Sequence, residues 1–185
     1  MSVSYSTDSG AAKRATARLE NSWGVGATYV TSAGDTAVTI GTGFSGGDVA
    51  TTGTQTTGGK EGFHAGVSAV TGDLTVAVGF ADGNKAGTGV AGAKEMTGDT
   101  VKAGVKYVTG DLTMNLGMVS GKAVDNVFAG TDTLEDSHDE VNASVTYAVA
   151  SGVSAVLGYT TVDISDENAA VQTAGGSSWY IGATM

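Results

Sequence analysis

The feature that most constrains this chain is a hairpin pattern that occurs twice almost unchanged. The segment AVTGDLTVAVGF, residues 69–80, returns 38 positions later as YVTGDLTMNLGM, residues 107–118. In both, a Thr-Gly-Asp turn opens a run in which large apolar residues alternate with Thr, Ala, Gly and Asn. A period of two predicts β-strands that are apolar on one face only, and the Gly and Asp residues suit tight hairpin turns.

The same pattern extends along the whole chain. Short turns recur near Gly34, Gly72, Gly110 and Gly152, and longer connections that hold most of the charge separate the hairpins. We therefore predict an antiparallel meander with all short turns at one end and all long loops at the other. The ten predicted strands are residues 2–6, 22–31, 36–44, 62–70, 74–81, 99–108, 112–119, 140–149, 153–161 and 177–185. Because no composition break or interior linker occurs, residues 1–185 are predicted to form a single domain.

The apolar face of these strands carries aromatic residues near both ends and Val, Ala, Leu and Ile in the middle. Tyr29, Tyr107 and Tyr147 lie near the short turns. A second aromatic set lies near the long loops: Trp23, Phe44, Phe63, Phe80, Tyr159 and Trp179. Two aromatic girdles around an aliphatic band are typical of a bilayer-spanning surface, and strands in lipid must pair all their backbone groups. The pattern favours an all-β fold, an antiparallel transmembrane β-barrel.

Composition excludes several other classes of protein. The 185 residues include 30 Gly and no Cys, and the formal net charge is −10. The absence of Cys excludes a disulfide scaffold and a thiolate metal site, and the acidic balance argues against nucleic acid as a partner. The chain contains no run of about 18 apolar residues, so no transmembrane helix is predicted. The start MSVSYSTDSG lacks the basic and apolar regions of a signal peptide.

The YVTGDLTMNLGM hairpin, the acidic long loops and the ending GGSSWYIGATM resemble the general porins of Gram-negative outer membranes, particularly those of alphaproteobacteria. The resemblance covers essentially the whole chain, although the assembly signal that ends such proteins usually closes with Phe and this chain closes with Met185. It implies an outer-membrane location and a passive diffusion channel for small hydrophilic solutes and ions. The partners it implies are the lipid bilayer, lipopolysaccharide and further copies of the chain in a homotrimer.

The resemblance also bears on the strand number. Porins of this family have sixteen strands, so ten strands would match the last ten, the C-terminal part of such a barrel. The alternative is a ten-stranded barrel that closes on itself. The small residues of the polar face favour the wider wall, because small barrels are filled by their side chains.

Six residues on the polar face are predicted to line the lumen: Lys102, Lys106, His64, Asn115, Asn142 and Thr146. Lys102 and Lys106 share one face of one strand, so they are predicted either to bias ion permeation or to pair with acidic loop residues. His64 fits a wall residue better than a ligand. No arrangement of catalytic residues is singled out, and we do not expect an enzyme.

The acidic stretch TDTLEDSHDE offers a candidate calcium site. It is expected to form one loop around His138 with these carboxylates: Asp132, Glu135, Asp136, Asp139 and Glu140. Carboxylate oxygens at this density suit Ca²⁺, and porins that this chain resembles often hold calcium in their loops. The alternative is a solvated acidic loop without a metal.

Two other functions are compatible with the pattern. One is a non-channel outer-membrane barrel that serves as an adhesin or a structural protein, which conductance measurements in planar bilayers would separate from a porin. The other is a soluble, secreted Gly/Thr-rich β-repeat protein that binds calcium or a surface, which would be soluble without detergent.

Overall fold

The computed structural model describes residues 2–6, 19–49, 60–85, 96–123, 135–166 and 172–184. The described residues form ten strands: β1 (Ser2–Ser6), β2 (Leu19–Ala33), β3 (Thr36–Val49), β4 (Lys60–Thr71), β5 (Leu74–Lys85), β6 (Met96–Thr109), β7 (Leu112–Ala123), β8 (Asp136–Ala150), β9 (Val153–Asp166) and β10 (Gln172–Thr184). Within these ranges, no helix has the length and apolar character needed to cross a membrane.

The strands form one antiparallel sheet in the order of the chain, from β1 at one edge to β10 at the other. The predicted meander is therefore confirmed. Several strands extend further toward the long connections than predicted: β2 begins at Leu19, β8 begins at Asp136 and β9 ends at Asp166. The expected closure into a barrel is not seen within the described residues, because each strand pairs only with its sequence neighbours and β1 and β10 remain edges.

Two-residue turns connect the four described hairpins. Gly34, Gly72, Gly110 and Gly152 occupy these turns with φ of 61°, 54°, 55° and 76°. A positive φ forces the Cβ of other L-residues toward the backbone, whereas glycine adopts it freely. The positive φ thus explains why glycine occurs at these four turns. The two-residue turns in turn fix which residues face each other within each hairpin.

The two faces of the sheet differ sharply. We call the face that carries Val78, Val105 and Leu116 the outer face and the opposite one the inner face. The exposed large apolar side chains of the described residues all lie on the outer face except for four: Val30, Val70, Ile164 and Tyr180.

No large side chain among the described residues is fully buried. A soluble sandwich would bury one face of its sheets in a core, and an exposed apolar surface as wide as this sheet is not tolerated in water. The soluble alternative is therefore not supported, because the apolar face needs a nonaqueous surrounding.

Candidate functional site

A row of directly opposed residues crosses the inner face from β2 to β8. In strand order it contains Thr28, Gly41, Gly66, Gly79, Lys102, Val119 and Glu140. Three adjacent strands thus contribute glycine at the same level, and Lys102 follows immediately beside them. Across these three strands the wall consists of bare backbone.

A groove of about 620 Å³ lies over this bare part of the wall. Small and hydroxyl-bearing residues dominate its lining, and the titratable residues among them are His64 and Lys102. A Cβ added at Gly41 or Gly79 would come no closer than 3.7 Å to the nearest atoms considered. Neither glycine is required by close packing, so the missing side chains leave open space above the sheet.

The two candidate lysines both lie exposed on the inner face of β6. Lys102 stands opposite Gly79 and Val119, and Lys106 stands opposite Thr75 and Asn115. Neither lysine forms an ion pair within the part of the chain that the structure describes. Pairing with acidic residues of the long connections, the other prediction, lies outside the described residues.

The other predicted lining residues also lie on the inner face. The Asn115 side-chain amide donates a hydrogen bond to Ser144 Oγ at 3.2 Å, while Asn142 faces Gly117 and Thr146 faces Thr113. His64 lies on β4 opposite Gly43. The register brings His64 and Lys102 to the same groove, whereas Asn142 and Thr146 lie further around the sheet on β8.

The acidic stretch does not form the expected loop. Its residues from Asp136 onward belong to β8, where alternation places Asp139 on the outer face and Asp136 and Glu140 on the inner face. The prediction of one shared loop is wrong because carboxylates that alternate along an extended strand diverge.

Two carboxylates of the stretch lie beside basic side chains. Glu135 Oε2 lies 3.4 Å from Lys122 Nζ, and Glu140 Oε2 lies 3.8 Å from His138 Nε2. Asp132 lies outside the described residues. Within them, no group of three or more acidic or histidine side chains could hold a metal ion, and with Asp132 outside these ranges the calcium site stays a prediction.

The aromatic residues of the outer face lie at two levels. On the side of the long connections, the ring centroids of Phe44 and Phe63 are 4.8 Å apart and those of Tyr159 and Trp179 are 4.6 Å apart. On the side of the short turns, Tyr107 stands beside Leu74 and Met114. Aliphatic side chains fill the band between the levels, as at a lipid-facing surface.

Sequence reasoning missed the glycines as functional candidates. Gly41, Gly66 and Gly79 are unremarkable when taken one at a time, since glycine is frequent throughout the chain. They form one patch only because the register aligns them. The pairing of Gly66 with Gly79 follows from the two-residue turn at Gly72, so this part of the patch could have been predicted from the sequence.

Comparison with known proteins gives one family and several structures. The model of a family described as Gram-negative porin matches residues 1–167. No curated protein matches the chain.

Similar solved structures include two of OmpT from Vibrio cholerae. The form expressed in the outer membrane is 17% identical, with 88% of this chain and 56% of that chain covered and a TM-score of 0.58. The form folded in vitro, described as an outer membrane protein, is 19% identical, with 91% and 55% covered and a TM-score of 0.59. At these identities the likeness establishes the fold, and this chain spans about half the length of the structures it matches.

Proposed function

The chain belongs to the Gram-negative porin family, and from this premise we propose that its sheet forms part of the wall of a water-filled channel for passive diffusion of small hydrophilic solutes and ions. The bacterial outer membrane is its location. Since the chain spans about half the length of its structural neighbours, the activity of the whole protein belongs to this proposal.

The observation that carries the proposal is the division of the sheet into two unlike faces. The outer face exposes aliphatic side chains between two aromatic levels, which suits lipid. The inner face offers backbone, hydroxyls, amides and two lysines around an open groove of about 620 Å³, and it carries the carboxylates of Asp136 and Glu140 further along the sheet on β8. A wall of this kind suits water and dissolved solutes and leaves them room to pass.

The two lysines give the proposed channel a preference among ions. Lys102 and Lys106 place two positive charges on one strand of the wall, without an ion pair to another described residue. In a confined aqueous path, fixed charges select permeating ions by sign. We therefore expect this part of the wall to favour anions. The proposal assigns no catalytic role to the chain.

The partners belong to the same proposal. The lipid of the outer membrane, including lipopolysaccharide, would contact the outer face, and small hydrophilic solutes would contact the inner face. A homotrimer is part of the proposal because the sequence resembles porins of that kind, and the size of the protein in mild detergent tests it.

Conductance in planar bilayers tests the function. The full-length protein should insert and produce discrete current steps in salt solution. A folded, inserted protein that produced no steps would favour the non-channel barrel.

Charge reversal tests the role of the lysines. Lys102→Glu and Lys106→Glu should each shift the reversal potential in a salt gradient toward cation selectivity. Lys122→Glu is the matched control, because Lys122 lies on the outer face and forms its ion pair with Glu135. Equal shifts in all three variants, or no shift in any, would contradict the assignment of the two lysines to the channel wall.

A further inference from the structure

Three large side chains of the inner face each lie over a glycine on the neighbouring strand. The opposed pairs are His64 with Gly43, Asn142 with Gly117 and Tyr180 with Gly158. A Cβ added at Gly43 would lie 2.5 Å from His64 Cε1, and one added at Gly117 would lie 2.8 Å from Asn142 Oδ1. At Gly158 it would overlap the ring of Tyr180. We call Gly43, Gly117 and Gly158 the covered glycines.

The backbone does not explain why glycine occupies these positions. Among the described glycines, a positive φ occurs only at the four hairpin turns, so the covered glycines have ordinary extended backbone. Glycine within a strand weakens the strand, because it has no side chain to pack and loses more backbone entropy on folding. The space that its side chain would fill is instead occupied by a side chain from the neighbouring strand.

Other glycines of the same wall are different. At Gly41 and Gly79 an added Cβ would meet no neighbour closer than 3.7 Å, and we call these two the bare glycines. Gly43 and Gly158 are buried although they lie on the open face of the sheet, since the opposing side chains cover them. The wall therefore combines uncovered backbone with large side chains that lie flat.

The same arrangement occurs on the outer face. Trp23 stands opposite Gly46, and a Cβ at Gly46 would lie 2.7 Å from Trp23 Cε2. A large side chain placed over a glycine gains close contacts along the opposing backbone, and aromatic side chains are known to cover cross-strand glycines. The arrangement is therefore not confined to the inner face, although the bare glycines show that a glycine opposite a side chain is not always covered.

We propose that the covered glycines are positioning residues that hold His64, Asn142 and Tyr180 flat against the wall and thereby set the open cross-section of the channel. The proposal rests on the proposed function, since the cross-section matters only if the inner face lines a channel. A methyl group at a covered glycine occupies the position of the opposing side chain. That side chain must then turn to another staggered rotamer, and the wall leaves it only the space in front of the sheet.

The first experiment compares Gly158→Ala with Gly182→Ala in the full-length protein in planar bilayers. Gly182 lies on the inner face of β10 outside the groove, and a Cβ added there would meet Val156 Cγ1 at an ordinary contact distance of 3.5 Å. Both variants add one methyl group to the inner face, but only the first displaces a ring. We expect Gly158→Ala to lose single-channel conductance and Gly182→Ala to retain it. The double variant Gly158→Ala with Tyr180→Ala should regain at least the wild-type conductance, because the displaced ring is then gone. Equal losses in the two glycine variants, or no recovery in the double variant, would overturn the proposal.

The second experiment does not depend on conduction. The free energy of unfolding in lipid vesicles is measured for wild type, Gly158→Ala, Tyr180→Ala and the double variant. We expect Gly158→Ala to destabilise the protein when Tyr180 is present and to be neutral or stabilising when it is absent. Additive effects would overturn the positioning role. Wild-type protein that inserts without conducting would refute the channel itself, and the stability cycle would still report whether Gly158 holds the ring.

Discussion

Replacement of Leu116 or its neighbour Asn115 by arginine tests the assignment of the two faces most directly. Leu116 lies on the outer face of β7 with 54% of its surface exposed. Two residues away along β7, Met114 pairs with Tyr107 of the aromatic level near the short turns. Four residues away in the other direction, Ser120 lies level with Phe80, because Ser120 pairs with Val101 and Val101 pairs with Phe80. These separations are about 7 and 13 Å along the strand, so Leu116 lies within the aliphatic band.

The expected free-energy changes differ in size and in origin. Arginine at the midplane of a barrel's lipid face costs about 2–4 kcal/mol and less toward the interfaces. Since Leu116 is nearer one aromatic level, we expect about 2–3 kcal/mol, a roughly 30- to 140-fold change in the folding equilibrium. Asn115→Arg removes the hydrogen bond to Ser144, worth about 1 kcal/mol. It also places a cation opposite Lys106, which adds about 0.2–1 kcal/mol.

Salt separates these two origins. At about 1 M salt the Debye length falls to about 3 Å, so repulsion between Lys106 and an arginine in an aqueous lumen is screened. The cost of placing arginine among lipid chains is not a charge–charge interaction in water, and salt leaves it in place. The measurement is equilibrium unfolding of the full-length protein from lipid vesicles at low and high salt. Leu116→Ala and Asn115→Ala are the matched controls, and the difference between each Arg and Ala variant gives the cost of the charged side chain.

The face assignment requires a large, salt-insensitive charge cost at Leu116 and a small, salt-sensitive one at Asn115. Equal costs at both positions would contradict the assignment of the outer face to lipid and favour the soluble alternative. The reverse order would keep a membrane-spanning sheet but exchange its inner and outer faces, because a register shift of one residue moves every side chain to the opposite face.

Two further predictions concern the turns and the sheet edges. Gly110→Ala should destabilise the protein by roughly 1–2 kcal/mol, because φ is 55° at this position and L-residues with a Cβ are strained there. Gly104→Ala on a neighbouring strand is the control, and equal unfolding free energies for the two variants would contradict a conformational role of the turn glycine. Residues 1–185 refolded alone in detergent should form heterogeneous oligomers, because β1 and β10 present unpaired edges; a monodisperse monomer in size-exclusion chromatography would instead indicate that the sheet closes on itself.

The sequence alone determined the strands, the hairpin turns and the character of each face. These features are local: alternation with a period of two identifies a strand and its two faces, and Gly-containing turns mark where hairpins reverse. The aromatic levels were also visible, because each aromatic residue's distance from its own turn can be counted. The acidic stretch was misread since its alternation is weak, and pairing with β7 and β9 extends the strand back to Asp136.

Only the tertiary structure decided which residues stand opposite each other across the long connections. A two-residue turn fixes the register within its hairpin, so the pairing of Gly66 with Gly79 follows from the turn at Gly72. A long connection imposes no register of its own. All three covered glycines meet their partners across long connections, between β3 and β4, β7 and β8, and β9 and β10. Which residues belong to the wall could therefore be predicted from the sequence. The cross-strand contacts that position their side chains depend instead on the register, which is set by pairing along the whole length of the strands.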